Sequence, residues 1–172
     1  MQQSERKSND KAIDESTFIH GRYILVGAEA VHWELFAQYS ENPFRNYKKR
    51  SVLGGGLRYE LSKSARLGAG ILNEDETELT GQSKTTERFG FYLHNSLELV
   101  ENIALKPTIY FQPSIDDFEN DYKASIILAL DFKVNEDFKI TMQYSSFHDS
   151  DPPMFAEKTD ESISTMFSYN LN

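Results

Sequence analysis

The feature that most restricts this chain is a period of two in its apolar residues, sustained from residue 17 almost to the C-terminus. Alternate residues of an extended strand point to opposite sides, so such a period means a sheet whose two faces meet different surroundings. Over 53–61, Leu53, Leu57, Tyr59 and Leu61 share one face with Gly55, while Gly54, Gly56, Arg58 and Glu60 take the other. Over 87–99, Phe89, Phe91, Leu93, Leu97 and Leu99 oppose Arg88, Gly90, Tyr92, His94, Ser96 and Glu98. The pattern returns over 103–112, 124–133, 138–144 and 163–171, and in weaker form over 18–27, 33–40 and 66–73. About nine strands follow, within a range of 8–10, and no helix.

The connections alternate in length. Tight turns are predicted at Glu29 and Ala30, at 62–64, at Glu101 and Asn102 and at 135–137, and long polar loops at 41–50, 74–86, 113–121 and 147–160. Short turns at one end and long loops at the other are the layout of an antiparallel up-and-down transmembrane β-barrel. Residues 1–16 are almost wholly polar and show no sustained period, so they are expected to form a flexible tail ahead of a barrel domain over 17–172.

Composition removes other classes. A length of 172 residues suits one domain, and the absence of cysteine rules out disulfide scaffolds and thiolate zinc sites. With 27 acidic against 18 basic residues the formal charge is -9, which argues against nucleic acid as a partner, because that affinity rests on Lys and Arg neutralising phosphates. No apolar run reaches the ~18 residues of a spanning helix, but barrel strands escape that test because they alternate.

Alternation alone leaves open which face is the inside. Aromatic residues of the apolar face gather near strand ends: Tyr59, Phe132, Phe138 and Tyr169 by the short turns, and Tyr39, Phe89, Phe111 and Tyr144 by the long loops. Two such girdles suit the two interfaces of a membrane, whereas a soluble core has no reason to sort its rings into end layers. About ten residues per strand at ~3.3 Å, tilted by about 40°, also match the ~25 Å apolar band of such a barrel. The polar face then lines a lumen, where Arg58, Glu60, Arg88, His94, Glu98, Lys106, Asp131, Lys133 and Lys139 are expected to form a charge network, since ions in a narrow interior need partners. Gly54, Gly56, Gly68, Gly70 and Gly90 fall on the same face, making room for long side chains or permitting tight curvature. Pro107 lacks a ladder donor and predicts an irregularity within its strand.

Few residues suggest catalysis. His148, Asp149 and Ser150 are adjacent, which seldom gives relay geometry, and His94, Ser96 and Glu98 share a strand face where a lumen hydrogen-bond network is the simpler role. The acidic stretches at 74–78 and 116–121 offer carboxylates to a hard cation but lack an Asp-x-Asp-x-Asp-Gly loop, so solvated loops are the default. No metal, cofactor or enzymatic activity is expected. Lys48, Lys49 and Arg50 form a basic cluster that could meet anionic lipopolysaccharide.

Several stretches resemble a named family: the runs WELFAQYSENPFRNY from Trp33, LGGGLRYEL from Leu53 and YFQPSIDDF from Tyr110, and above all the ending HDSDPPMFAEKTDESISTMFSYNLN from His148. They are similar to the domain of unknown function 481 family, described as salt-induced outer-membrane proteins of Gram-negative bacteria. The resemblance spans roughly residues 17–172 and implies an outer-membrane β-barrel, with no catalytic residues to carry over. Members carry an export signal and further N-terminal strands not seen here, so a mature or shortened form is expected, and the ending Leu171-Asn172 replaces a terminal aromatic. The reading is thus a small outer-membrane barrel, structural or associated with envelope stress, with a narrow or plugged polar lumen. Its partners are outer-membrane lipid, lipopolysaccharide and, during insertion, the barrel-assembly machinery. The alternatives are a soluble β-barrel binding a lipid or small apolar ligand and, third, an outer-membrane hydrolase.

Overall fold

The computed structural model describes the chain except Met1, Asn9, Asp10, Ala28, Phe44, Arg45, Asn46, Phe155, Leu171 and Asn172, with the backbone alone for 2–8 and 11–15. The ending on Leu171 and Asn172 therefore lies outside the described residues.

Alternation with β-branched and aromatic residues builds strands throughout: β1 (Gln2–Ser8), β2 (Lys11–Leu25), β3 (Val31–Asn42), β4 (Tyr47–Glu60), β5 (Arg66–Glu78), β6 (Ser83–His94), β7 (Leu97–Val100), β8 (Ile103–Pro113), β9 (Tyr122–Lys133), β10 (Phe138–Asp149) and β11 (Thr159–Tyr169). They form one antiparallel up-and-down sheet in the order β1-β2-β3-β4-β5-β6-β8-β9-β10-β11, with β7 also on β8. Because β6 and β7 are two parts of one interrupted strand, the body of the sheet from β2 to β11 has nine members. The sheet curls into a half-barrel, and no pairing among the described residues joins β11 to β1 or β2.

One end carries the expected tight turns, with Glu29 (φ 56°) and Asn102 (φ 67°) in the left-handed region. At the other end, the loop end, three predicted long loops are shorter than expected. β3 and β4 leave only 43–46 between them, β5 runs through Glu74 and Glu76 to Glu78 before β6 starts at Ser83, and 150–158 joins β10 to β11. The stretches 74–78 and 83–86 are polar on both faces, so they show no alternation, yet main-chain hydrogen bonds extend the ladder through them. The same holds for the expected tail over 1–16. There the backbone of β1 pairs with β2 from Gln2↔Phe18 to Ser8↔Lys11, so the strand boundary lies ahead of residue 17.

The faces sort as the alternation requires. On the convex side Leu53 is 68%, Ile71 55% and Ile163 77% exposed, whereas the concave side holds Arg88 and Glu74 at 2% each. Buried hydrophobic residues among those described are only Tyr47, Val52 and Leu72, so the apolar interior that a soluble ligand-binding barrel needs is not built here.

The glycines make room for what lies over them. An ideal Cβ on Gly56 would lie 2.5 Å from the Gly70 Cα, so β4 and β5 approach as only glycine allows. Gly54 and Gly68 are instead roofed by the rings of Phe36 and Tyr92. Pro107 stays in register within β8, opposite Leu128, and the irregularity appears in the neighbouring strand. The Asn95 N–H reaches the Pro107 carbonyl at 3.0 Å but Pro107 can return no bond; β6 stops at His94, and the Ser96 N–H turns away to Ser64.

Candidate functional site in the concave face

The curl brings strands that are far apart in the sheet into contact across its interior. Glu74 of β5 lies at the centre of the loop-end cluster. It accepts hydrogen bonds from Arg50 of β4, from Arg88 Nε of β6 at 2.6 Å and from Lys123 Nζ of β9 at 2.8 Å. Lys123 also reaches Glu76 at 3.0 Å and Asp149 at 3.2 Å. Two strands separate β5 from β9 in the sheet, so the Lys123–Glu74 pair spans the interior and partly closes it.

Above this cluster the loops are clipped down. Arg88 pairs with Asp121 at 2.7 Å, while Lys84 pairs with Asp121 at 3.0 Å and Asp151 at 2.6 Å, joining the β8–β9 and β10–β11 loops. Burial alone would raise the Asp121 carboxyl, but hydrogen bonds from Lys84 and Arg88 outweigh it and hold the group below its ordinary value of 3.8. Phe118 of the β8–β9 loop folds back onto Phe89 and Phe111, its ring 6.4 Å and 6.0 Å from theirs.

Midway down, Glu34 of β3 accepts a 2.8 Å hydrogen bond from the Tyr92 hydroxyl of β6 and pairs with Arg58 at 3.5 Å and Arg22 at 3.6 Å. The Arg22 guanidinium lies 5.4 Å above the Tyr92 ring. Nearer the turns, Asp131 accepts from Lys106 at 2.7 Å and from the Thr141 hydroxyl at 2.6 Å, with Lys139 at 3.5 Å.

Of the nine residues expected in the lumen network, Arg58, Glu60, Arg88, Lys106, Asp131 and Lys139 meet ionic partners on the concave face. His94 Nδ1 is 2.9 Å from the Thr108 hydroxyl. Glu98 and Lys133 stand exposed at the margin of the sheet, outside the ion pairs. The expected network leaves out Glu34, Arg50, Glu74, Asp121 and Lys123, which carry the densest contacts; the sequence reading does not single out Glu34 and Lys123 at all, and it places Arg50 in the basic cluster facing lipopolysaccharide. Glu34 and Lys123 could have been found by continuing the alternation one step beyond Phe36 and Ser125. Glu74 and Asp121, expected in solvated acidic loops, are instead partnered by cations.

Of the expected girdle residues, Tyr59, Phe132, Phe138, Tyr169 and Phe111 lie near strand ends, whereas Phe89 and Tyr144 fall in the middle of β6 and β10, because both strands extend further toward the loops than the alternation shows. Tyr59 and Tyr169 are 49% and 63% exposed, and Phe132, Phe138, Tyr39, Phe89, Phe111 and Tyr144 are half-buried. His148, Asp149 and Ser150 serve three different partners: Thr159 at 2.9 Å, Lys123 at 3.2 Å, and the Asn120 carbonyl, to which the Ser150 hydroxyl donates at 2.7 Å. The basic cluster also divides, with Lys48 and Lys49 exposed and Arg50 turned inward. Beside the ion pairs the concave face lines an open cavity of about 890 Å³, walled by residues of β2 to β6 and β8 to β11 and reaching the 150–158 loop.

Residues 2–171 match a family model described as protein of unknown function, DUF481. No curated protein matches the chain. Among solved structures the chain is similar to the NanC porin in a rhombohedral crystal form, at 10% identity and a TM-score of 0.58, over 91% of this chain and 80% of that one. At that identity the likeness concerns the fold.

Proposed function

The chain belongs to the DUF481 family of proteins of unknown function, and from that footing we propose that it is a small outer-membrane β-barrel protein of a Gram-negative bacterium, with a structural or envelope-stress-associated role and no enzymatic activity. The observation that carries this reading is the opposition of faces: large apolar side chains stand exposed on the convex side while charged ones are buried and paired on the concave side. Water is a poor medium for the first face and hydrocarbon a good one. The porin-like fold supports the same placement. Ion pairs across the interior favour a lumen that is narrow at the loop end rather than an open conduit.

Outer-membrane lipid covers the convex face on this reading. Lys48 and Lys49, like Lys158, are exposed cations at the loop end available to lipopolysaccharide phosphates. Insertion requires the barrel-assembly machinery, as for other proteins of this architecture. The test is fractionation of the expressed protein followed by gel migration with and without heating. Recovery in the outer membrane with faster migration of the unheated form is expected; a monomer that stays soluble without detergent overturns the proposal. Planar-bilayer recording is expected to show no steady large conductance.

A further inference from the structure

We propose that the β8–β9 loop, residues 114–121, is a membrane anchor, with Phe118 seated at the boundary between the acyl chains and headgroups of the surrounding lipid; this deepens the barrel reading above and rests on it. A loop so rich in acid reads as solvated, and Asp116, Asp117, Glu119 and Asn120 are exposed as that reading requires. Phe118 departs from its neighbours. Its ring lies against Phe89 and Phe111 at 6.4 and 6.0 Å and is still 49% exposed.

The loop is fixed in this position. β8 meets β6 only from Phe91↔Phe111 to His94↔Thr108, and the loop lies along the part of β6 beyond that. There the Ile115 N–H donates to the Glu87 carbonyl at 2.9 Å and the Ser114 N–H to the Asp121 carbonyl at 2.7 Å, while Arg88 and Lys84 hold the Asp121 carboxylate.

Phe118 completes a band of rings. Phe91 and Phe89 of β6 are 6.1 Å apart, and Phe111, Tyr122 and His148 follow one another at 5.7 and 5.5 Å across β8, β9 and β10. Phe118 joins the two groups. The pairs Phe91↔Phe111, Phe111↔Ala124 and Ala124↔His148 place the band on the convex face. A protein partner covers a compact patch, whereas a narrow contour of rings crossing four strands follows a planar boundary. The layers beside it are ordered as a bilayer requires. Toward the loops stand the carboxylates of 116–119 and the Lys84–Asp151 pair; toward the turns the convex face continues in the exposed aliphatic residues Ile109, Ile126 and Leu128. Charge, rings and aliphatic chains in that order match water, headgroup boundary and hydrocarbon.

The test places an indole at two depths in the full chain, whose one tryptophan is Trp33. Trp33→Phe/Phe118→Trp and Trp33→Phe/Leu128→Trp are reconstituted into phosphatidylcholine vesicles brominated either high on the acyl chains or near their ends. Shallow bromine is expected to quench the Phe118→Trp indole about twofold more than deep bromine does, and the Leu128→Trp indole is expected to show the reverse preference. Should Phe118→Trp lose the heat-dependent gel shift, a nitroxide on Phe118→Cys, in a chain with no other cysteine, reports the same depth through its collisions with oxygen and with a water-soluble nickel chelate. A probe at 118 that meets only aqueous quenchers, while Leu128→Trp responds to brominated lipid, overturns the anchor alone. A preference for deep bromine at 118 also overturns it. Indifference of Leu128→Trp to both lipids overturns the barrel reading, and the anchor falls with it.

Discussion

Arg88 and Glu74 each expose 2% of their side chains, so neither can exchange its partner for water. Arg88→Met is expected to cost about 3–5 kcal/mol, because it removes one member of a buried ionic set and leaves the carboxylates undercompensated. Urea unfolding in lipid vesicles would measure it. The glycines give a sharper contrast. A Cβ on Gly68 would lie 1.9 Å from the Tyr92 ring, whereas one on Gly90 meets Leu72 at 3.4 Å and the Gly70 carbonyl oxygen at 4.0 Å. Gly68→Ala should therefore destabilise by about 1–3 kcal/mol, as overpacking does, and Gly90→Ala far less. A smaller cost of Gly68→Ala when it is measured in a Tyr92→Ala background would identify the ring as the cause. Asp121 has a lowered folded pKa, so its contribution to stability is present above its ordinary value of 3.8 and disappears as the pH falls through and below that region. Asp121→Asn should lose that portion of the acid sensitivity, readable as a flatter pH profile of unfolding. Arg88 was legible in the sequence because its neighbours alternate cleanly, whereas Glu74 was not, because Asp75 and Glu76 beside it erase the period.

Strands with one apolar face announce themselves, and β4, the lower part of β5, β6, β8, β9 and β10 all do. The extensions of β5 to Glu78 and of β6 back to Ser83 do not, since hydrogen bonds between main chains leave no mark on side-chain pattern. Pro107 shows how an element can displace a defect. It predicts an irregularity in its own strand, and the interruption falls between β6 and β7 because the missing donor is felt by the partner. Pro107→Ala restores that donor and is expected to slow amide hydrogen exchange over 94–97. Unchanged exchange would assign the interruption to the 3.0 Å bond from Ser96 N–H to Ser64 instead.

For the whole molecule the decisive property is which residues share a face of the sheet, and the sequence carried it through alternation. What the sequence could not carry was reach across the interior, because nothing along the chain relates residues 74 and 123 until the sheet curls. On the proposed reading, Leu128→Arg on the convex face should cost about 2–4 kcal/mol of stability in vesicles, as charges at the bilayer midplane do. Ser125→Arg, three residues earlier on the concave face, should cost much less, and equal costs would argue against a lipid-facing convex side.

Among the described residues the sheet ends on β1 at one side and on β11 at the other, and neither outer edge is used by a pairing. Main-chain groups left open along such a margin take up any strand laid against them, so these two borders are where the sheet would be extended or shut.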